Sequence, residues 1–335
     1  MNRKDDHIKA SLSQPFKDND FDHIRFVPDT LCHTNVADVD IKVSHFGFTF
    51  DAPIYINAMS GGSEQSKIIN EKLAAIAKAC NIMIATGSVS AAIKDSKWTS
   101  SFHVIRDVYP NGCIAANVGL SQTLEGAKQA INILDANVLQ VHLNAAQEIT
   151  MPEGDRIFDF WPERLQSIIE GVKVPVIVKE VGFGMSRASI VQLKSLGATY
   201  IDISGSGGTN FIQVENERRK HQLTLFESYG FSTVESLLEA KDIPGVHIFA
   251  SGGIRDAYDV VKALALGADM VGLSGYFLKL VMHHTLEDAI SQTKEMIETI
   301  QSIMAVLNCE SLSQLKMLPL IYSEKLISFM NQRKR

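Results

Sequence analysis

Residues 247–275 read HIFASGGIRDAYDVVKALALGADMVGLSG, and their order decides the fold. An apolar run at 247–251 ends in a serine, and Gly252 and Gly253 break it. Apolar residues at helical spacing follow over 257–266, Gly267 supplies a C-cap, and a second apolar run begins at Met270. Two strands separated by a helix of this length pair in parallel, because the chain must cross back before it can run in the same direction. The device recurs one unit earlier, where LGATYID at 196–202 matches LGADMVG at 266–272. Further outward, apolar runs lie at 54–58, 82–86, 113–117, 138–142, 174–179 and 200–204, with helical spacing between them, as at 68–79 and 190–196. With 247–251 and 270–274 they make eight candidate strands, the number that closes a (β/α)8 TIM barrel; an open doubly wound sheet is the competing architecture.

The chain has 335 residues, which such a barrel can absorb as one domain. We read 53–284 as the barrel, 1–52 as an N-terminal extension crossing it, and 285–335 as a helical segment packed outside. That last segment opens with a capping box at Thr285 and Asp288 and carries an apolar stripe of Ile290, Ile297, Ile300 and Met304. Basic and acidic residues number 32 and 38, a net charge of -6, and no basic stripe or recognition motif suggests nucleic-acid binding. Cys32, Cys80, Cys113 and Cys309 are far apart and form no CxxC pair, which fits a reducing compartment. The start, MNRKDDHIKASLS, is too polar for a signal peptide, and no apolar run is long enough to span a bilayer. A cytoplasmic protein is expected.

In a barrel of this kind the chemistry gathers at the C-terminal strand ends. After the sixth run, IDISGSGGTNF places three glycines at 204–210, where backbone N–H groups can approach an anion; taken alone, the segment reads first as a flexible loop. The seventh run ends in Ser251, Gly252 and Gly253 at a helix start, and the eighth in Gly272-Leu273-Ser274-Gly275. Three such ends side by side form a phosphate cradle. Lys179 ends the fifth run, VPVIVKE, where its ammonium either stabilises a developing anion or pairs with Glu180 or another nearby acid. His142, Asn144, Gln147 and Glu148 follow the fourth run in VHLNAAQE. They offer hydrogen-bonding groups and one carboxylate that could join substrate phosphate oxygens around Mg²⁺, although a lone histidine is more often a satisfied buried imidazole. Arg3, Lys4 and His7 could close on a phosphate, or form an ordinary charged terminus. Cys113 should lie at the closed end of the barrel, away from any strand-end chemistry.

With RKDDHI, NAMSGG, TGSVSAA, AANVG, HLNAAQE, VPVIVKEVGFG, DISGSGGTNF and FASGGIRDAYDVVKALALGADMVGLS in place, the chain resembles the type 2, flavin-dependent isopentenyl-diphosphate delta-isomerases over nearly its whole length. The glycine cradle is common to many flavin mononucleotide (FMN) barrels; the RKxxH start with HLNxxQE and SGxGGTxF is specific to this family. The resemblance implies that Ala58, Met59, Ser60, Ser88 and Asn117 line the flavin site. It sets Lys179, Ser204, Thr209, Gly252, Gly253, Ile254, Ser274 and Gly275 around the flavin and its phosphate. Arg3, Lys4, His7, Ser90, His142, Asn144 and Gln147 would hold an isoprenoid diphosphate, with the N-terminus as a lid, and Glu148 would bind Mg²⁺. One departure is FESYGFSTVESL, where the family usually shows tryptophan, glycine, isoleucine, proline and threonine over 229–233; it should shape a loop or helix start.

The implied reaction interconverts isopentenyl and dimethylallyl diphosphate by adding a proton at one end of the allylic unit and removing one at the other, with no net redox change. Reduced FMN offers an N5 proton and an electron-rich face, so the flavin itself can be the acid–base catalyst. Gln147 is a neutral amide and Glu148 is engaged with metal, which leaves neither as the main acid. Catalytic roles then fall to Gln147 as an orienting group, Lys179 near flavin N1, and His142. The resemblance also implies reduction of the flavin by NADPH and a homo-oligomer, tetrameric or octameric. The alternatives are an FMN-dependent dehydrogenase or oxidase on the same barrel, and a non-catalytic flavin or phosphate sensor.

Overall fold

The eight apolar runs become the strands of one closed, all-parallel barrel in the computed structural model, which describes residues 19–333. In chain order they are β1 (Ile54–Ile56), β2 (Met83–Ala85), β3 (Ile114–Gly119), β4 (Val138–Leu143), β5 (Val176–Glu180), β6 (Tyr200–Asp202), β7 (His247–Ser251) and β8 (Met270–Leu273). Each pairs with its sequence neighbours, and β8 returns to β1 with Val271 opposite Ile54 and Gly272 opposite Tyr55, so the sheet closes rather than staying open. Helices fill every crossover, among them Glu64–Ala79, Leu124–Leu134, Arg187–Ser195 and Ala257–Ala265. The repeated glycine stop works as read: Gly197 and Gly267 follow their helices with φ of +95° and +111°.

Side chains alternate along a strand, so every second residue enters the barrel. The lower positions form an apolar layer that includes Tyr55, Met83, Cys113, Ala115, Val138, Ile177, Phe249 and Met270. Cys113 is wholly buried there, at the closed end, and burial pushes its thiol up to about 12. Two residues further along the same strands the inward positions turn polar: Asn57, Asn117, Gln140, Lys179, Asp202 and Ser251 are all buried.

The described part of the extension closes the barrel from below. Val43–His45 and Phe48–Phe50 form a hairpin. Its turn residues Phe46 and Gly47 both have positive φ, 58° and 81°, the geometry of a two-residue turn matched to strand twist. The turn carries the Phe46 ring to 4.5 Å from Tyr200, and Phe50 joins the apolar layer. Upstream, Ile24–Phe26 pairs antiparallel with Leu320–Tyr322, tying the two flanking segments together.

The helix Leu286–Val306 packs against Glu64–Ala79 and Ala257–Ala265, outside the barrel. Ile300 and Met304 are buried, Ile290 and Ile297 half-buried, and Met296 with Ala289 completes the inner face. The Thr285 hydroxyl accepts the Asp288 N–H, as a capping residue should. The Asp288 carboxylate, however, meets that hydroxyl at 2.9 Å; aspartate is a methylene shorter than the glutamate of a full capping box. Among the described residues no helix is long and apolar enough to cross a membrane.

Candidate active site

A cavity of about 1440 Å³ opens over the C-terminal strand ends. That exceeds the roughly 300–1,000 Å³ of an ordinary small-molecule pocket and leaves room for more than one ligand.

One wall is the glycine cradle, lined by Ser204, Gly205, Gly207, Gly208, Thr209, Gly252, Gly253, Ile254, Ser274 and Gly275. Two glycine loops meet here backbone to backbone. A Cβ on Gly252 would stand 2.1 Å from the Gly205 carbonyl oxygen, and one on Gly253 would stand 2.7 Å from the Gly207 carbonyl carbon. Both residues also have φ values, +93° and +73°, that side chains disfavour. Carbonyl oxygens are drawn away from the cavity: the Thr233 hydroxyl donates to those of Ser251 and Gly252, and Asn19 Nδ2 donates to that of Gly253. The N–H groups of Gly207, Gly208 and Gly253 have no protein acceptor among the described residues. Beside them starts the helix Gly275–His283, and a Cβ on Gly275 would meet nothing within 4 Å. Free N–H groups and a helix N-terminus on one wall fit an anion of phosphate size.

The opposite wall comes from the ends of β1 to β4 and carries Ala58, Met59, Ser88, Ser90, Asn117, His142, Asn144, Gln147 and Glu148. Asn144 Nδ2 donates to Glu148 Oε1 at 2.8 Å, and the Asp155 N–H donates to Oε2 at 2.9 Å. Glu148 is thus a single oriented carboxylate, and among the described residues no cluster of three metal-ligating side chains exists. This donor set fits Mg²⁺ only as an ion sharing most of its coordination with a phosphorylated ligand and water. Gln147 Nε2 donates to Glu215, a fully buried carboxylate that is also paired with Arg218 at 2.6 Å.

Lys179 forms the floor, and both readings of it from sequence bear on what is found. It lines the cavity, and its ammonium is also paired, not with the Glu180 side chain but with buried Asp202 at 3.3 Å, while donating to the Glu180 carbonyl at 2.8 Å. The Glu180 carboxylate instead accepts the N–H groups of Gly182 and Phe183. Burial pushes that carboxyl up to about 8, with the two N–H groups and the Lys179 charge pulling the other way. Asp202 also accepts from Tyr55 at 2.7 Å, Asn57 at 3.0 Å and Ser251 at 2.7 Å. Burial, then Asp202, raise the Tyr55 hydroxyl well above its ordinary range, so it remains a donor.

Ser60, next to Met59 at the end of β1, is buried; its hydroxyl donates to Asn70 at 2.8 Å and its carbonyl accepts the Gly87 N–H. Arg3, Lys4 and His7 lie outside the described residues. The divergent 229–233 segment is a helix start: Ser232 caps Thr233–Ala240 with a full capping box through Glu235, and Phe231 packs edge-on against Phe329. Asp202, Asn57, Gln140 and Glu215 escaped the sequence reading, although the first three sit at period-two positions of their strands, which is the signal that could have found them.

A parallel barrel with a glycine cradle on its last three strand ends is the class of protein this geometry defines, and the family model described as FMN-dependent dehydrogenase matches residues 114–320. At the level of whole chains the likeness is narrower. The isopentenyl-diphosphate delta-isomerase of Staphylococcus saprophyticus is 45% identical over 99% of this chain and 96% of its own length. That of Latilactobacillus sakei is 44% identical over the same shares. The chain therefore belongs to the isopentenyl-diphosphate delta-isomerase family, in its flavin-dependent, type 2 form. Among solved structures, a mandelate oxidase variant superposes with a TM-score of 0.67 over 96% of this chain and 99% of its own, at 16% identity, which speaks to the fold alone.

Proposed function

We propose that this protein interconverts isopentenyl and dimethylallyl diphosphate on bound, reduced FMN, with Mg²⁺ on the substrate and NADPH as the reductant that primes the flavin. The observation that carries the reading is the cavity's division into two walls, one of glycine loops and the other of hydrogen-bonding side chains with one carboxylate. The glycine cradle suits the FMN phosphate, and the wall of Ser90, His142, Asn144, Gln147 and Glu148 suits a metal-bound diphosphate. When bound and reduced, FMN supplies an exchangeable proton and an electron-rich face beside the alkene.

The chain's own groups do the rest. Ala58, Met59, Ser88 and Asn117 bound the space for the ring. Lys179, steadied by Asp202, places a positive charge at the floor next to it. Gln147, held by Glu215, orients the isoprenoid, and Asn144 aims the Glu148 carboxylate at the metal. Fixing the diphosphate on one wall turns the meeting of alkene and ring into an intramolecular event. Arg3, Lys4 and His7 complete the substrate arm and help exclude water. We place the activity in the cytoplasm, which four free cysteines support.

The test is anaerobic incubation with FMN, NADPH, Mg²⁺ and isopentenyl diphosphate, counting dimethylallyl diphosphate formed per NADPH consumed. Many turnovers per NADPH, lost on chelation of Mg²⁺, are expected. Substrate oxidised in step with reduction of the flavin would instead identify a dehydrogenase, and no product with reduced FMN present would leave a non-catalytic binder.

A further inference from the structure

Beneath the cavity, a row of buried side chains runs from one wall to the floor. The carboxylate of Asp202 accepts from Asn57 Nδ2 at 3.0 Å; Asn57 Oδ1 accepts from Gln140 Nε2 at 3.3 Å; Gln140 Oε1 accepts from Asn117 Nδ2 at 3.1 Å. At the far end Asn117 Oδ1 lies 2.8 Å from His142 Nδ1. Asp202, Asn57, Gln140 and Asn117 are each at most 3% exposed, so water does not compete for these bonds.

The direction of the row is fixed from one end. The backbone N–H of Ala58 donates to Asn57 Oδ1 at 2.8 Å, and a backbone N–H can only donate. That sets the Asn57 oxygen on one side and its nitrogen toward Asp202. Gln140 must then donate to that oxygen, its own oxygen must face Asn117, and the Asn117 oxygen must face the imidazole. Turning over any one amide would oppose two N–H groups or two oxygens in a buried site. The three amide orientations, ordinarily interchangeable, are here mutually determined.

We propose that Gln140 is a positioning residue which, anchored on the buried carboxylate of Asp202, holds neutral His142 in the Nδ1–H tautomer through Asn117. Nε2 is then the unprotonated nitrogen of the neutral ring, and it lies close to Gly119, where a Cβ would fall 2.7 Å from it. In that tautomer the lone pair of the neutral ring, and the second proton of the charged one, belong to Nε2. The consequence for turnover rests on the proposed place of His142 in the substrate arm; the tautomer itself is a property of the ligand-free chain.

The test is ¹⁵N NMR of histidine-labelled protein without ligand, at a pH above the ordinary imidazole range, with the His142 signals assigned by their loss in His142→Asn. A protonated Nδ1 and bare Nε2 are expected; a neutral ring protonated at Nε2 would overturn the proposal. In Gln140→Leu the Asn117 amide is released and a mixture of tautomers should appear. A pure Nδ1–H form there would also overturn it, since Asn117 alone would then suffice. Gln140→Glu should restore the single tautomer, because a buried, protonated carboxyl accepts from Asn117 and donates to Asn57 as the amide does; failure to restore it counts against the relay. If Gln140→Leu mixes the tautomers, the KM for isopentenyl diphosphate, measured with saturating FMN, should rise about tenfold. An unchanged KM beside mixed tautomers would support the positioning and remove His142 from the substrate arm, so the two readings fail separately.

Discussion

The two layers inside this barrel stand only two residues apart on the same strands, yet they differ in kind. Tyr55 lies below Asn57, Ala115 below Asn117, Val138 below Gln140, Ile177 below Lys179 and Phe249 below Ser251, each pair about 7 Å apart along its strand. The lower layer is held by shape and apolar burial, which tolerate exchange among side chains of similar volume. The upper layer is held by hydrogen bonds with fixed donors and acceptors, where losing one partner strands another in a dry interior. Scaffold and site are therefore separate in chemistry although continuous in space.

The comparison can be broken at three points, taken from the largest expected effect. Phe249→Ala should lower the unfolding free energy by about 3–5 kcal/mol, the usual result of emptying a large buried ring, while leaving FMN affinity within a few-fold of wild type. Denaturant unfolding and flavin titration measure the two; an equally large loss of FMN affinity would mean the layers are not separable. Gly253→Ala should raise the Kd for FMN at least tenfold, about 1.4 kcal/mol, because the methyl group meets Gly207 and the φ of +73° disfavours it. Wild-type affinity there would remove the cradle from flavin binding.

The third point is read as a slope with pH rather than as a single loss, and it concerns Glu180, whose carboxyl is raised from 4.5 to about 8 in the folded chain. Between those values the folded state binds the extra proton and the unfolded state does not, so stability falls as pH rises through this window. Relative to wild type, Glu180→Gln should become progressively more stable from pH 4.5 to 8 in urea unfolding. A constant difference between the two chains would show that Glu180 is ionised throughout.

What the sequence disclosed follows from these two kinds of packing. Apolar runs, mostly ending in a small or polar residue, and glycine stops such as Gly267 are local signals, and they located the eight strands of the barrel though not the flanking strands Ile24–Phe26, Val43–His45, Phe48–Phe50 and Leu320–Tyr322. The hairpin under the barrel carried no usual turn pair; Phe46 with φ of 58° is an uncommon choice, held by packing against Tyr200 rather than by its own preference. Asp202 was hidden because its meaning is tertiary. In IDIS it reads as one polar residue before a glycine loop, and only closure of the barrel brings it to Lys179, Tyr55, Asn57 and Ser251.

The aromatic hairpin below has a consequence for traffic. With Phe46 and Phe50 stopping the lower end, the described residues leave the barrel open over its C-terminal strand ends. Whatever sits deepest must enter first and leave last. A tightly held cofactor is then sealed in by each visitor that settles above it, and any compound able to lodge in the doorway halts exchange of everything beneath.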